Sequence, residues 1–417
     1  MLPVARVVCC GAVTLSVLGP QTTAQTPTFK ATTALVEVDV VVFDKQGRFV
    51  PGLAPEDLSL FEDGRRQAIQ NFYMVAHDAT AGLNATAGSE ATPAEHARRV
   101  FVMLFDEGHL GFDSLMRLKK GAEAFIQAQI GPGDVGGVFA NGGMYRGRLT
   151  TDKNELIAGV RSSKQAFENR QSLLSPFKEF PRIPNEIDAM RIEQGAREVV
   201  DALGEDACRS DPFLCQQEGG LNQVENLIQR KAKLYVRQAR ALTSRTVQNL
   251  QYVVGGLSRI PGRKTIVFLT EGFFVEESRG LLQSVAAQAG RASTVIYSID
   301  GRGLVSSGAS ADPDVTSPAV SRSTNFDTGE DAPLILTMGT GGFMVRHIDD
   351  ISRAFGLVAR DTSTYYVLGY QPDNSRMDGT FRKIEVKPNM DGVSVRARQG
   401  YVAVSLPPLE AIRGGRN

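Results

Sequence analysis

The sequence predicts an α/β protein in which a mostly parallel sheet, with helices on both faces, is combined with a β-sandwich made from the two ends of the chain. The runs VFVMLF at 100–105 and TIVFLT at 265–270 are apolar without interruption, as in strands covered on both faces of a parallel sheet. Segments with apolar residues at steps of three and four separate such runs, which is typical of amphipathic helices. Near both ends of the chain, apolar and polar residues alternate instead, which indicates half-buried strands.

The α/β part is predicted to begin with a βαβ unit. A strand over 100–105 is followed by a helix around residues 115–126, by the break Gly131-Pro132-Gly133-Asp134, and by a strand over 135–140. The same alternation predicts the later elements, which are a long helix over 224–257, strands over 265–270 and 294–299, helices over 281–289 and 351–359, and a last strand starting at 342. Residues 301–333, rich in Ser, Gly, Asp and Pro, are interpreted as a mobile loop. The region from about Lys153 to Gly220 is interpreted as an insertion with long loops near one sheet edge.

The terminal segments are short and β-rich. Strands are predicted over 35–43, 59–62 and 69–75, with an Asp63-Gly64 hairpin signal, and the runs TYYVLGY, FRKIEVK and VSVRARQGYVAV predict further strands after Thr362. Neither group has enough apolar residues to close a core alone. We therefore expect both groups to pair in one sandwich from which the α/β domain is inserted.

The amino terminus has the pattern of a secretory signal peptide, because Arg6 precedes the apolar run 7–18 and small residues follow around Ala24. An uncleaved anchor or a lipoprotein is the alternative. The apolar run is too short to span a bilayer of about 30 Å. The predicted organisation is a signal peptide at 1–25, sandwich strands at 26–76, a linker at 77–97, the α/β domain at 98–360, sandwich strands at 361–405 and a tail at 406–417.

Composition limits the partners and the chemistry. The chain of 417 residues has 46 Lys plus Arg and 46 Asp plus Glu, so no net field draws in nucleic acid. Removal of the signal peptide leaves two cysteines, Cys208 and Cys215, and in an oxidising compartment they are expected to form a local disulfide. Two free thiols are the alternative. The spacing does not match a zinc site or a Cys-x-x-Cys redox motif.

Four segments in order resemble the acidobacterial VWFA-related family, whose members contain a von Willebrand factor A-like domain. These segments are VEVDVVVFDKQGRFVPGLAPEDLSLFEDGRRQAIQNF, VFVMLFDEGH, KTIVFLTEGFF and the tail YYVLGYQP…DGTFRKIEVK…VSVRARQGYVA. The resemblance covers most of the chain after the signal peptide. It implies a Rossmann-like A domain and, at the carboxyl edge of its sheet, a site where Asp-x-Ser-x-Ser and a second acidic residue hold a divalent cation.

The residues at that implied metal site depart from the family pattern. Asp106 matches the first aspartate, but Gly108 and Leu110 replace the two serines, and Glu271 replaces the second aspartate. In one account Asp106 and Glu271 still hold a cation such as Mg²⁺, helped by Glu107 or Thr270. In the other, which we favour, the site is vestigial, no cofactor is tightly bound, and Asp106 accepts hydrogen bonds from loop amides. His109 is interpreted as a solvated or capped loop residue rather than a metal ligand.

The expected function is binding rather than catalysis. The sequence has no Gly-x-Ser-x-Gly, His-Glu-x-x-His or phosphate-loop motif, and the Gly-rich run 339–342 is interpreted as a strand-edge turn. We expect an exported, non-enzymatic protein that is periplasmic or extracellular and binds a protein partner, or mediates adhesion, through the carboxyl edge of the sheet. The alternatives are a structural spacer in an envelope assembly and a hydrolase that uses Asp106 and Glu271.

Overall fold

The computed structural model describes residues 35–77, 98–174, 180–183, 186–216, 218–273, 278–303 and 330–403. Its strands are β1 (Val36–Asp44), β2 (Leu58–Glu62), β3 (Arg65–Gln67), β4 (Asn71–Ala76), β5 (Val100–Phe105), β6 (Val135–Ala140), β7 (Gly143–Met144), β8 (Lys264–Thr270), β9 (Thr294–Asp300), β10 (Met344–Val345), β11 (Thr364–Tyr370), β12 (Phe381–Pro388), β13 (Val393–Ala397) and β14 (Gly400–Val402). Its α-helices are α1 (Phe112–Gln129), α2 (Lys153–Ser162), α3 (Arg170–Leu174), α4 (Glu186–Glu193), α5 (Arg197–Ser210), α6 (Gly220–Leu257), α7 (Arg279–Arg291), α8 (Asp331–Thr340) and α9 (Ile351–Ser363).

A six-stranded sheet with the order β10-β9-β8-β5-β6-β7 forms the centre of the α/β part, and only β7 runs antiparallel to its neighbour. Helices α1, α2 and α9 pack on one face, and α6, α7 and α8 pack on the other. Every residue of β5, β8 and β9 is buried, because helices cover both faces. The predicted α/β class with a mostly parallel sheet is therefore confirmed.

Strands from both ends of the chain are interleaved in two further sheets, with the orders β13-β1-β11-β4 and β14-β12-β2-β3. All the pairs in these sheets are antiparallel, and β1 lies between β11 and β13. Side chains from both sheets meet in one core, including Val40, Leu60 and Tyr366. Strands that precede and follow the α/β part in sequence thus complete each other's hydrogen-bonded ladders and share buried apolar surface.

A buried arginine joins these terminal strands to the α/β part. Arg263 directly precedes β8, and its guanidinium group lies 4.2 Å from the centre of the Tyr365 ring in β11. It also forms ion pairs with Asp39 in β1 at 3.6 Å and with Asp361 in α9 at 3.7 Å. A buried charge needs such partners to offset its lost hydration, so this contact couples the two parts.

The insertion between Lys153 and Gly220 differs from the expected long loops, because most of its described residues are helical. Helices α2, α3, α4 and α5 lie within it, and the inner faces of α4 and α5 pack against α6. Val199 and Leu203 of α5, for example, share a core with Val224 and Ile228 of α6. The apolar residues of α5 recur at helical spacing, and packing against α6 buries that face. The structure joins Cys208 in α5 to Cys215, which lies in the segment between α5 and α6, in a disulfide with a Cα–Cα distance of 5.6 Å.

The segment before β10 also differs from expectation. Helix α8 begins at Asp331, inside the region interpreted as a loop, and residues 339–342 form its carboxyl end rather than a strand-edge turn. Gly341 ends the helix with φ of 82°. A Cβ atom at Gly342 would lie 2.0 Å from the carbonyl oxygen of Ile296, so only glycine allows this close approach.

Several predicted segments lie outside the described residues. They are the signal peptide at 1–25, nearly all of the linker at 77–97, most of the loop at 301–333 and the tail at 406–417. Within the described ranges, no helix is both long and apolar enough to cross a membrane.

Candidate binding site at the carboxyl edge of the sheet

Asp106 follows β5 at the carboxyl edge of the sheet, and its side chain is buried. The Thr246 hydroxyl in α6 donates to Oδ1 at 2.7 Å, and the Thr270 hydroxyl at the end of β8 donates to Oδ2 at 2.7 Å. His109 Nδ1 lies 3.1 Å from both oxygens. Burial alone would raise the pKa of Asp106, but the charge of His109 and these hydrogen bonds outweigh it, and the pKa lies below its ordinary value. Side chains, rather than the expected loop amides, therefore hold this carboxylate.

His109 is buried at this edge and bonded to Asp106, so of the two expected states it is the capped loop residue and not the solvated one. Its ring packs against Phe273, with ring centres 5.0 Å apart. Nδ1 carries a proton and donates it in a hydrogen bond to the Asp106 carboxylate. The site thus contains a buried imidazole whose orientation is fixed by Asp106 and Phe273.

Glu107 and Glu271 hold loops in place. Glu107 Oε1 accepts the amide of Lys164 at 3.0 Å, and Oε2 accepts the amide of Asn141 at 2.6 Å. Burial raises the pKa of Glu107 even though these two hydrogen bonds act in the opposite direction. Glu271 Oε1 accepts the amide of Gly111 at 2.8 Å. Each glutamate satisfies backbone donors that would otherwise be unpaired near the sheet edge.

These contacts test whether the residues fit the divalent cation that the resemblance implies. Both oxygens of Asp106 already accept hydrogen bonds, and Glu271 is bonded to a loop amide. Gly108 and Leu110 offer no side-chain oxygen, and Leu110 is buried as a core residue. Across the described part of the chain, no group of three or more His, Cys, Asp or Glu residues is arranged to hold a metal. The donor set present does not fit a Mg²⁺ site, which needs several converging oxygens.

A cavity of about 210 Å³ lies beside His109, between the sheet edge and the helices of the insertion. Its apolar walls come from three sources, namely the insertion, α6 and the segment around α7, and include Leu173, Met190, Val236, Leu242, Phe273 and Leu281. His109 contributes a polar group to this wall. The cavity therefore combines apolar surface with polar side chains, which are the oriented imidazole of His109 and those of Gln194, Thr243, Ser244 and Ser278.

A buried ion pair also borders the cavity. Two nitrogen atoms of Arg170 contact the Glu186 carboxylate at 2.6 and 2.8 Å, and the Tyr235 hydroxyl donates to the same carboxylate. Burial would raise the pKa of Glu186, but the charge of Arg170 outweighs it and lowers that pKa. Burial and the neighbouring Glu186 raise the pKa of Tyr235, so its hydroxyl stays protonated. The charges of this network are therefore compensated within the protein.

Sequence reasoning found Asp106, placed Glu271 at the same edge and named Thr270 beside them, but it did not connect Thr246 to Asp106. Thr246 and Tyr235 lie in the apolar stripe that predicts the long helix over 224–257, and no polar contact was assigned to them. A polar hydroxyl at two buried positions of that stripe was the available signal. Arg170 and Glu186 gave no signal, because their pairing depends on how the insertion folds.

No protein-family model matches the chain, and no curated protein matches it. Among solved structures, it is similar to an aerotolerance-related membrane protein from Bacteroides fragilis NCTC 9343, crystallised with multiple mutations to serines. The identity is 12%, the match covers 63% of this chain and 98% of that chain, and the TM-score is 0.30. This distant likeness transfers neither an activity nor a binding site to this chain.

Proposed function

We propose that this chain is an exported, non-catalytic von Willebrand A-like module that binds a protein partner at the cell envelope through the carboxyl edge of its six-stranded sheet. The observation that supports this most directly is the exposure of large apolar side chains around that edge. Phe167 is 96% exposed, Phe112 is 61% exposed and Leu281 is 51% exposed. Aromatic residues of this kind are typical anchors of protein interfaces.

Chain connections place these side chains near the site. Phe112 begins α1 a few residues after Asp106. Phe167 follows Ala166, whose amide donates to the carbonyl of Glu107 at 3.2 Å. Leu281 lines the cavity. Ligands of open α/β sheets bind at the carboxyl ends of the strands, so the position supports a binding role.

The chemistry of the two carboxylates supports binding over hydrolysis. A general acid or base must reach the proton that it transfers. Asp106 is buried and both of its oxygens accept hydrogen bonds within the protein, while Glu271 holds the Gly111 amide. In this proposal the two antiparallel sheets form a sandwich that carries the α/β part. A spacer function alone would give no reason for an exposed apolar edge.

The test is a change of the exposed edge in the full exported chain. The double variant Phe112→Ser, Phe167→Ser should fold normally and lose crosslinked envelope partners that the unmodified protein captures. Phe213→Ser is the matched control, because Phe213 is 78% exposed and lies near the start of α6. The control position is far from the site. Gly220, at the start of α6, is 26 residues from Thr246, which contacts Asp106, and this separation corresponds to roughly 39 Å along the helix.

The captured partner is then purified and its affinity is measured directly. We expect the edge variant to bind at least tenfold more weakly and the Phe213 variant to bind like the unmodified protein. Equal affinity of all three proteins would refute the assignment of the surface. Turnover of a substrate by the purified protein, abolished in Asp106→Asn, would refute the non-catalytic part of the proposal.

A further inference from the structure

We propose that the outer face of α6 binds the surface of a lipid bilayer that contains anionic phospholipids. This inference goes beyond the protein-binding function proposed above and does not depend on it, because it concerns a different surface of the molecule. Three features of α6 and the insertion carry it. They are a stripe of basic side chains, the acidic side chains on the opposite side, and the exposed apolar side chains beside the stripe.

Basic side chains are concentrated in one part of α6. From Asn226 to Leu257 this helix has no Asp or Glu, although the whole chain has equal numbers of acidic and basic residues. The basic residues of this part are Arg230, Lys231, Lys233, Arg237, Arg240 and Arg245. Three of them, Arg230, Lys233 and Arg237, are exposed, and their steps of three and four place them on one face as a basic stripe. Within the described part of the chain these three form no ion pair, so the stripe keeps its positive charge.

Acidic side chains of the insertion lie on the opposite side from this basic stripe. Helix α5 packs on α6 at Val224 and Ile228, which lie about half a turn around α6 from the stripe. Within α5, Asp201 and Glu205 are exposed and point away from the face that packs on α6. The α6 side therefore presents positive charge and the α5 side presents negative charge. A negatively charged bilayer attracts the first side and repels the second, which orients the molecule on its surface.

Exposed apolar side chains beside the stripe favour a bilayer over other polyanions. Leu234 is 51% exposed and Leu227 is 36% exposed, and both lie on the same side of α6 as the stripe. Phe180, which is 40% exposed, belongs to a segment held next to α6, because Lys231 Nζ donates to the carbonyl oxygen of Pro181 at 3.3 Å. In peripheral membrane helices such apolar side chains enter the boundary between headgroups and acyl chains, while Lys and Arg stay with the phosphates. A nucleic acid backbone would pair with the charges but would leave these apolar side chains in water.

The first experiment measures how the full exported chain sediments with two kinds of vesicle. One kind is phosphatidylcholine alone, and the other contains equal parts of phosphatidylglycerol and phosphatidylcholine. We expect affinity for the anionic vesicles to be higher by about tenfold or more, because only they carry a negative surface potential. Raising the salt from about 0.1 M to about 1 M shortens the Debye length from about 10 Å to about 3 Å and should largely release the protein. Equal affinity for both kinds of vesicle would overturn the proposal.

Two triple variants with the same change of charge locate the binding. The stripe variant is Arg230→Gln, Lys233→Gln, Arg237→Gln. Each basic side chain near an anionic surface contributes about fivefold in affinity, so this variant should lose about a hundredfold. The matched control removes three exposed basic residues of α1 and α9, on the other face of the six-stranded sheet, and is Lys120→Gln, Arg353→Gln, Arg360→Gln. The control should bind like the unmodified protein, and an equal loss in both variants would show that overall charge, not the stripe, determines binding.

An introduced tryptophan tests the apolar contact, because the chain contains no tryptophan of its own. With anionic vesicles, the emission of Leu234→Trp should shift to shorter wavelength and be quenched by lipids with brominated acyl chains, since the indole would enter the interfacial region. Met116→Trp is the control, at a position of α1 that is 49% exposed, and it should show neither effect. An unchanged spectrum of Leu234→Trp would refute membrane contact through this face.

Two further comparisons separate the bilayer from other partners and from the proposed function. Duplex DNA and polyglutamate are offered to the same protein, and tighter binding of either than of the anionic vesicles would overturn the assignment to a bilayer. The edge variant Phe112→Ser, Phe167→Ser should bind vesicles like the unmodified protein, whereas the stripe variant should still capture the protein partner. Failure of the vesicle assay is therefore distinguishable from failure of the partner assay.

Discussion

Removal of the Thr246 hydroxyl should destabilise the protein more than removal of another buried threonine hydroxyl. Thr246 is 3% exposed, and its hydroxyl donates at 2.7 Å to the buried Asp106 carboxylate, which lies 140 residues away in sequence. Thr246→Val keeps the shape and deletes the donor. Hydrogen bonds to charged groups contribute about 1.5–3 kcal/mol, so we expect the free energy of unfolding to fall by about that amount.

Thr362→Val is the matched control. Thr362 is also 3% exposed, but its hydroxyl contacts only the carbonyl oxygens of Val358 and Ala359 in its own helix, both at 3.0 Å. Those carbonyl groups are uncharged, so we expect a cost of about 1 kcal/mol or less. Urea unfolding followed by circular dichroism measures both variants against the unmodified protein. A loss for Thr246→Val no larger than that of the control would refute the idea that Asp106 is a charged link between the sheet and α6.

The remaining predictions concern processing, crosslinking, metal binding and pH. Amino-terminal analysis of the exported product should find a start within about residues 22–28, and a full-length intracellular product would contradict export. Alkylation without reductant should modify neither Cys208 nor Cys215, so labelling of both would exclude the disulfide. Excess Mg²⁺, Mn²⁺ or Ca²⁺ should leave the unfolding temperature unchanged, and a rise of several degrees that disappears in Asp106→Ala would reverse our view of the metal site. Burial lowers the pKa of Lys264 to about 8, against an unfolded value near 10.4. The unfolded chain binds more protons between these values, so stability should rise with pH across that window by up to about 3 kcal/mol and should not do so in Lys264→Met.

The sequence was sufficient to determine the elements whose signals are local. Strand β5 was predicted over 100–105, the residues that the structure assigns to it, and β8 was predicted within one residue. Burial on both faces of a parallel sheet requires an uninterrupted apolar run, which is visible without any knowledge of the partner strands. The long helix α6 was found in the same way, from apolar residues at steps of three and four.

The helices of the insertion and α8 were not predicted. In α5, Val199, Val200, Leu203 and Ala207 have the spacing of a helical face and are buried against α6, so the local signal was present but was not used. Short helices are marginal in isolation, and tertiary packing supplies most of their stability. For α8, the Ser, Gly, Asp and Pro content of residues 301–333 suggested a loop, whereas the helix begins at Asp331 within that region.

The candidate site shows the same division between local and distant information. A carboxylate after an apolar strand identified Asp106 as a residue at the sheet edge, because strand ends of parallel sheets share one edge. Thr270, 164 residues away, was placed at the same edge because it ends an apolar strand, but that Thr246, 140 residues away, would also hold this carboxylate was not visible in either segment. The same is true of Arg170 and Glu186, which meet Tyr235 only after the insertion has packed on α6. The periodicity of apolar residues indicates which face of an element is buried. The partner of a buried polar group is determined by the tertiary fold, because hydrogen bonds and ion pairs form between atoms that only the folded chain brings within about 3 Å.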